Sequence, residues 1–183
     1  MDIQIIRSKR KTISMELKDG DVIVRAPKWV SRREIDAFID SHQDWLERAM
    51  AKEENRRAEL AAVVKLTEEE LDELVERARA YIPHRVALYA PLVGVDYGKI
   101  TIRRQRSRWG SCSAQGNLSF NCLLMLAPPA VLDSVVVHEL CHRKVMNHSQ
   151  RFYDLLLRVM PGYPELHSWL RKNGQTLIAR LPE

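Results

Sequence analysis

The stretch Val135-Val136-Val137-His138-Glu139-Leu140-Cys141-His142 carries the pattern H-E-x-x-H inside an apolar run. Two histidines four residues apart on a helix lie about 40° apart around its axis, so both imidazoles can hold one metal ion. The carboxylate of Glu139 is expected beside that ion, where it can accept a proton from a water molecule. His148 lies six residues after His142 and would supply a third ligand, leaving the open position typical of catalytic zinc sites.

The residues before the motif favour a metal site over a pair of solvated surface histidines. The run from Val131 to Val137 is too apolar for an exposed helix. Burying two imidazoles and a carboxylate together would be costly without a metal. Pro128-Pro129 predicts the start of this helix. The helix must end before His148, since six further helical residues would turn it about 120° away from the other ligands, and Asn147 is the predicted breaking point.

The composition is that of an ordinary globular protein. The chain has 183 residues, 45% of them hydrophobic, which fits one domain, alone or with a small appendage. Its net charge of +5 permits an anionic partner without requiring one. The three cysteines form no C-x-x-C pair and are expected as reduced thiols in a cytoplasmic protein. No signal peptide or membrane-spanning run is recognisable, so no membrane partner is expected.

Hydrophobic periodicity divides the chain into two parts. Residues 1–27 alternate as a small antiparallel sheet, with a hairpin turn at Asp19-Gly20. Ser31 begins a helix, and a long charged helix or link follows it. We therefore predict an N-terminal sheet with a long helix over residues 1–62 and a domain that carries the motif over residues 63–183, or one continuous domain.

In the second part, one helix is predicted to be kinked or divided and another to end early. Thr67 and Glu70 form a capping box at the start of the first of these helices. Pro83 lies inside its apolar pattern and predicts a kink or a division. The last helix is expected from Tyr163 to Arg171, ended by Asn173-Gly174.

A basic stretch lies within a predicted hairpin from Lys99 to Asn121. Closely spaced arginines repel one another unless they are solvated or face an anion. They could form a solvated edge that discourages pairing between sheets, or Arg108 and Trp109 could line a cleft and bind substrate. The pattern leaves both interpretations open. The arginines are Arg103, Arg104, Arg106 and Arg108.

The first turn of the N-terminal sheet is also basic. It holds Arg7, Lys9, Arg10 and Lys11. An isolated run of like charge is usually solvated surface, so we favour a solvated loop over a phosphate-binding patch.

Several motifs together resemble the YgjP-like metallopeptidase-domain family of small zinc-dependent proteins. The resemblance implies an α+β, zincin-like (minigluzincin-type) domain over residues 63–183. This fold has a small antiparallel sheet, an active-site H-E-x-x-H helix and an N-terminal β-hairpin and helix extension. It also implies His138, His142 and His148 as zinc ligands and Glu139 as the catalytic residue. The motifs are Arg108-Trp109-Gly110-Ser111-Cys112-Ser113, Gly116-Asn117-Leu118, Leu126-Ala127-Pro128-Pro129, the H-E-x-x-H stretch, and Asn147-His148-Ser149 with Phe152.

The ligand spacing equals that of the metzincins, but the chain is not assigned to them. Val145 stands where metzincins have a glycine that eases the turn, and no metzincin-type methionine is identifiable.

The predicted function is that of a zinc-dependent hydrolase, foremost a metallopeptidase (protease) with Glu139 as general base. Arg108, Trp109 and Tyr153 are predicted to bind substrate, and the strand near Ser119 could pair with an extended peptide. The oxyanion needs a further donor. The candidates for this donor are Arg108, Tyr153, Tyr163 and His167.

Two alternatives stay open from the residues alone. Arginine binds phosphate in a bidentate manner, so the chain could instead be a metal-dependent hydrolase of nucleotides. It could also be a non-catalytic module that binds nucleic acid through its basic hairpin. Manganese, nickel or cobalt could occupy a three-histidine site in place of zinc.

Overall fold

The computed structural model describes residues 3–18 and 20–182. The structure is α+β, as predicted, and its contacts separate two units, Met1–Ala62 and Val63–Glu183. Among the described residues, no helix combines the length and apolarity that a bilayer crossing needs.

The N-terminal unit contains a three-stranded sheet formed by β1 (Ile3–Ser8), β2 (Ser14–Lys18) and β3 (Asp21–Pro27). The predicted hairpin is present as the antiparallel pair β2–β3, although Asp19 of its turn lies outside the described residues. The prediction of a wholly antiparallel sheet is wrong, because β1 pairs with β3 in parallel and the strand order is β1-β3-β2. The most apolar strand takes the centre, since β3 buries alternate residues completely there.

Two helices cover this sheet's core. Helix α1 (Arg32–Asp40) begins with the predicted capping box of Ser31 and Glu34. Helix α2 (Gln43–Ala61) follows after a break of two residues. The core of the unit is formed by side chains of the central strand, of the loop that follows it and of both helices: Val22, Val24, Ala26, Val30, Ile35, Ile39 and Leu46.

The second unit begins with helix α3 (Glu68–Val93), which Pro83 does not divide. Residues on both sides of the proline, such as Ile82 and Val86, are completely buried. This packing offsets the backbone hydrogen bond that proline removes. The helix ends at Gly94, whose φ of 74° suits a residue without Cβ.

A second three-stranded sheet follows, with the order β4-β6-β5. It consists of β4 (Ile100–Arg103), β5 (Gly110–Cys112) and β6 (Leu118–Asn121). Here too the expected antiparallel sheet is wrong, because β4 pairs with β6 in parallel. The hairpin is β5–β6, so most of the basic stretch lies in the loop that precedes it.

The chain then forms the helices that carry the motif and enclose it. A short 3-10 helix (Cys122–Leu126) leads into α4 (Pro129–Cys141), which starts at the predicted prolines. Helices α5 (Gln150–Val159) and α6 (Tyr163–Ala179) complete the unit. Contrary to prediction, α6 continues through Gly174. A Cβ there would lie 2.9 Å from the ring of Trp109, so the glycine admits that ring.

An ion pair joins α4 to α3. The Arg85 guanidinium donates to both carboxylate oxygens of Asp133, at 2.7 and 2.6 Å, and the Tyr89 hydroxyl donates to one of them at 3.1 Å. The Asp133 side chain is only 10% exposed. Because Asp133 lies on the helix that carries the H-E-x-x-H motif, this pair fixes the helix against its neighbour.

Replacing Asp133 with alanine should lower the free energy of unfolding by about 3–5 kcal/mol, because it leaves a half-buried guanidinium without its partner. Glu76→Ala is a matched control, since it removes the exposed pair Glu76–Arg79 of the same helix α3 and should cost under about 1 kcal/mol. Urea denaturation measures both. Equal losses in the two variants would contradict this role for the pair.

Candidate active site

Three histidines converge at the carboxyl end of α4. The Nε2 atom of His138 lies 3.2 Å from that of His142 and 3.1 Å from that of His148. One ligand atom from each residue lies within 4.8 Å of the others. Helix periodicity accounts for the first two residues, while the third comes from the segment between α4 and α5.

Hydrogen bonds at Nδ1, the ring nitrogen that faces away from the cluster, orient the imidazoles of His138 and His142. The Nδ1 of His142 faces the carbonyl oxygen of Val145 at 3.1 Å, so this nitrogen carries the proton and Nε2 keeps its lone pair. The Nδ1 of His138 lies 2.9 Å from the hydroxyl of Tyr163. Such partners are typical of histidines that bind metals, because they set the ring orientation.

Phe152 packs against all three imidazoles. Its ring centroid lies 4.9 Å from that of His138, 4.6 Å from that of His142 and 4.9 Å from that of His148. The side chain is completely buried on α5. It therefore forms the apolar base on which the histidine cluster rests.

The arrangement of nitrogen atoms fits a zinc ion. Tetrahedral zinc with bonds of 2.0–2.1 Å places its nitrogen ligands about 3.3 Å apart, close to the two separations from His138 given above. Burial lowers the pKa of His138 to about 3 and also lowers that of His142, in both cases helped by neighbouring histidines. Neutral imidazoles offer lone pairs to a metal without competition from protons.

Glu139 is buried beside the cluster, with 6% of its surface exposed. Burial raises its pKa to about 7, against a smaller opposing effect of the Arg108 charge. Strand β5 approaches it closely, since a Cβ on Gly110 would lie 2.6 Å from its Oε1. A carboxylate whose pKa lies near neutrality is suited to accept and return a proton.

A cavity of about 320 Å³ opens beside Glu139 and His138. Its walls come from α4, α6 and the start of β5. The residues that line it are Trp109, Gly110, Ser134, Val135, His138, Glu139, Tyr163, His167, Leu170 and Arg171.

Of the three residues predicted to bind substrate, one lines the cavity beside Glu139 and two do not. Trp109 lines the cavity beside Glu139. Arg108 is exposed, and its charge acts on Glu139 without lining that cavity. Tyr153 lines a neighbouring cavity of about 310 Å³, and its ring lies 6.4 Å from that of His148.

Two of the four arginines of the basic stretch are used within the unit. Arg104 forms ion pairs with carboxylates at the start of α3. Arg106 donates to the carbonyl oxygen of Pro182. Arg103 and Arg108 are exposed. The stretch is therefore in part a structural anchor.

Asn121, completely buried at the end of β6, fixes the loop that carries Arg108 and Trp109. Its Nδ2 donates to the carbonyl oxygens of Gln105 at 2.7 Å and of Arg108 at 3.2 Å. Its Oδ1 accepts from the backbone N–H of Leu123 at 3.1 Å. No local pattern marks this residue, because its partners are up to 16 positions away in the chain.

The predicted break at Asn147 is wrong, because α4 already ends at Cys141. The segment after the helix is held by its side chains. Lys144 donates to the carbonyl oxygen of Val93 at 2.6 Å, and Arg143 donates to that of Asp96 at 2.9 Å. These contacts with the end of α3 draw the chain out of the helix.

The sequence indicates the roles of two further site residues, Tyr163 and Phe152, less clearly than those of the three histidines. Tyr163 is among the predicted oxyanion donors, but its hydroxyl is bonded to the nitrogen of His138 that points away from the cluster. Phe152 is four residues after His148 on the next helix, and this spacing could have marked it as a neighbour of the third ligand.

A family model described as the YgjP-like metallopeptidase domain matches residues 11–71 and 65–173. This chain belongs to that family. The resemblance inferred from the motifs is thereby confirmed, and membership supports a metal-dependent peptidase. The second matched segment includes all four candidate site residues, His138, Glu139, His142 and His148.

Two further comparisons add less to the YgjP-like assignment. A search among curated proteins finds no match. A similar solved structure is the metallopeptidase zymogen abylysin of Pyrococcus abyssi, with 19% identity and a TM-score of 0.45. That likeness covers 50% of this chain and 93% of the other.

The buried carboxyl group predicts a pH-dependent stability difference in the metal-free protein. Below a pH of about 4.5 Glu139 is protonated whether the chain is folded or unfolded, whereas between about 4.5 and 7 only the folded chain keeps the proton. The stability that this group contributes is therefore lost as the pH rises through 7. In the metal-free protein, the free energy of unfolding of Glu139→Gln relative to that of wild type should rise by on the order of 3 kcal/mol from about pH 4 to pH 8.

Urea denaturation of both proteins after chelation measures this gain. The titration of His138 is present in both proteins and cancels in the difference. A difference that stays constant with pH would show that Glu139 keeps an ordinary pKa in the folded chain.

Proposed function

We propose that this chain is a zinc-dependent metallopeptidase in which Glu139 is the general base. The observation that carries the proposal is the convergence of three histidines beside a buried carboxylate, with the Nε2 atoms of His142 and His148 at 3.2 and 3.1 Å from that of His138. His138, His142 and His148 would hold the ion. A zinc ion held in this way polarises a carbonyl group and lowers the pKa of water.

Glu139 then does the proton chemistry. As a carboxylate it accepts a proton from the attacking water, and as the acid it returns this proton to the leaving amine. In the metal-free chain burial raises the pKa of this group, and the same burial favours its acting as the acid in the second step. Gly110 allows the edge of β5 to lie directly against this carboxylate, so a carbonyl bound along that edge would be within its reach.

Two of the four candidate oxyanion donors are better placed for this role than the other two. Tyr163 is engaged with the Nδ1 of His138, and Tyr153 lines the neighbouring cavity instead of the one that holds Glu139. His167 shares the cavity with Glu139, and the charge of Arg108 acts on that carboxylate. We therefore propose His167 and Arg108 as the candidates for stabilising the oxyanion.

The strand available to a peptide is β5, in place of the segment near Ser119. Ser119 lies in β6, which pairs on both sides. The residues that flank β5 bond to the neighbouring chain, since Trp109 accepts from the backbone N–H of Asn121 and the N–H of Ser113 donates to Asn117. Alternation therefore turns the backbone groups of Gly110 toward the open edge. Among the described residues no further strand pairs with β5, and an extended substrate could add there.

The deciding experiment measures metal content and turnover on the same preparation. Peptide substrates of mixed sequence and nucleoside triphosphates are assayed side by side, before and after chelation and zinc restoration. We expect zinc-dependent cleavage of peptides only. Zinc-dependent release of phosphate without peptide cleavage would instead support the nucleotide hydrolase.

A further inference from the structure

The parallel pairing of β1 with β3 brings two basic loops to the same edge of the N-terminal sheet. Parallel strands end at one edge, and the register places Ser8 opposite Pro27. Residues 9–13 follow the first strand, and residues 28–31 follow the second. Lys9, Lys11 and Lys28 in these loops are all exposed. The fold thus joins charges that are separated in the chain.

A tryptophan stands among these charges. Trp29 is 75% exposed, more than any other tryptophan of the chain. Its loop is held in place, because the guanidinium of Arg7 donates to the carbonyl oxygens of Val30 at 2.5 Å and of Pro27 and Lys28 at 3.4 Å. An exposed ring on a fixed loop is arranged for contact with a flat partner.

Acidic side chains near this edge are occupied by other groups. Glu34 bonds to the backbone and hydroxyl of Ser31, and Asp36 pairs with Arg32. Within residues 3–18 and 20–182, Lys9, Lys11, Lys28 and Arg33 make no ion pair. The edge therefore carries positive charge that no ion pair among residues 3–18 and 20–62 neutralises.

We propose that this edge, formed by Lys9, Lys11, Lys28, Trp29 and Arg33, binds single-stranded nucleic acid. Ammonium and guanidinium groups contact the phosphates, and the indole ring stacks on an unpaired base. A duplex keeps its bases stacked on one another and offers no free face to Trp29, so single strands are preferred. The proposal does not depend on the peptidase chemistry of the second unit.

The test is fluorescence anisotropy of a labelled oligothymidylate of about 15 nucleotides with the full chain. Four phosphate contacts predict a slope of about −3 for log K against log salt, from roughly 0.7 per phosphate in single strands. Trp29→Ala should weaken binding at least about fivefold through the lost stack, and Trp29→Phe should largely restore it. Lys9→Glu/Lys11→Glu/Lys28→Glu should weaken it by about a hundredfold or more.

Matched control variants separate the effect of losing this edge from the effect of changing the net charge. Arg48→Glu/Lys52→Glu/Lys65→Glu changes the net charge equally at other exposed positions, and Trp45→Ala removes a tryptophan that is 41% exposed on α2. Both should bind like wild type, as should Glu139→Gln. The proposal is overturned if the control triple variant loses as much affinity, or if Trp29→Ala binds normally. It is also overturned if duplex binds as tightly as single strand, or if anionic phosphatidylglycerol vesicles bind and the oligonucleotide does not.

Discussion

Replacing Glu139 with Gln is expected to leave metal binding intact and to remove peptide turnover. The amide has nearly the same shape as the carboxyl group, but it cannot accept a proton at neutral pH. General acid–base catalysis of this kind contributes roughly 10²–10⁴-fold to a rate, so kcat should fall by at least that range. The three histidines are untouched, and their Nε2 atoms keep their spacing.

The measurement combines zinc stoichiometry with steady-state kinetics on one peptide. Glu165→Gln is the matched control, because it makes the same chemical change at an exposed position on α6 and should keep full activity. Unchanged kcat in Glu139→Gln would exclude Glu139 as the general base. Loss of zinc together with activity would show that the carboxylate supports the metal site itself.

Replacing His148 with alanine is expected to weaken zinc binding by more than about a hundredfold, since even partners outside the ligand set can cost 10–100-fold in affinity. His148 is the exposed member of the cluster, whereas the His142 residue is only 9% exposed. Its removal therefore leaves the core of the metal-free protein intact. This separates loss of metal from loss of fold.

Competition with a chelating dye gives the affinity, and thermal unfolding with and without zinc gives an independent readout. Zinc should raise the melting temperature of wild type by mass action and have much less effect on the variant. His84→Ala is the control, because His84 is exposed on α3 and lies outside the cluster. Equal zinc affinities in His148→Ala and wild type would exclude His148 as a ligand.

The strand pairing could not be predicted from alternation alone. Alternating residues identify a strand but do not tell which neighbour it takes, and the Asp-Gly turn specified only the β2–β3 hairpin. In each unit a third strand pairs in parallel with the most buried one. Burial of whole strand faces decides this order, and burial depends on residues that are distant in the chain.

Some helix ends are likewise determined by local sequence, and others by contacts with distant residues. The start of α4 at Pro129 follows from local chemistry, because proline suits the first helical turn. The end of α4 does not follow from local chemistry. After this helix, Lys144 and Arg143 bond to the carbonyl oxygens of Val93 and Asp96, which lie about 50 residues earlier in the chain. Likewise, α6 passes Gly174 because Trp109 packs against it, although a glycine there predicts a helix end.

The sequence by itself determined the chemistry of the candidate site. Spacing within one helix turn places His138, Glu139 and His142 together whatever the rest of the chain does, because helical periodicity is a local property. Only the tertiary structure decided what surrounds them. It placed Gly110 against Glu139, packed Phe152 under the three imidazoles, and brought Trp29 beside charges of another loop. These placements depend on long-range burial and backbone hydrogen bonding, which no local pattern encodes.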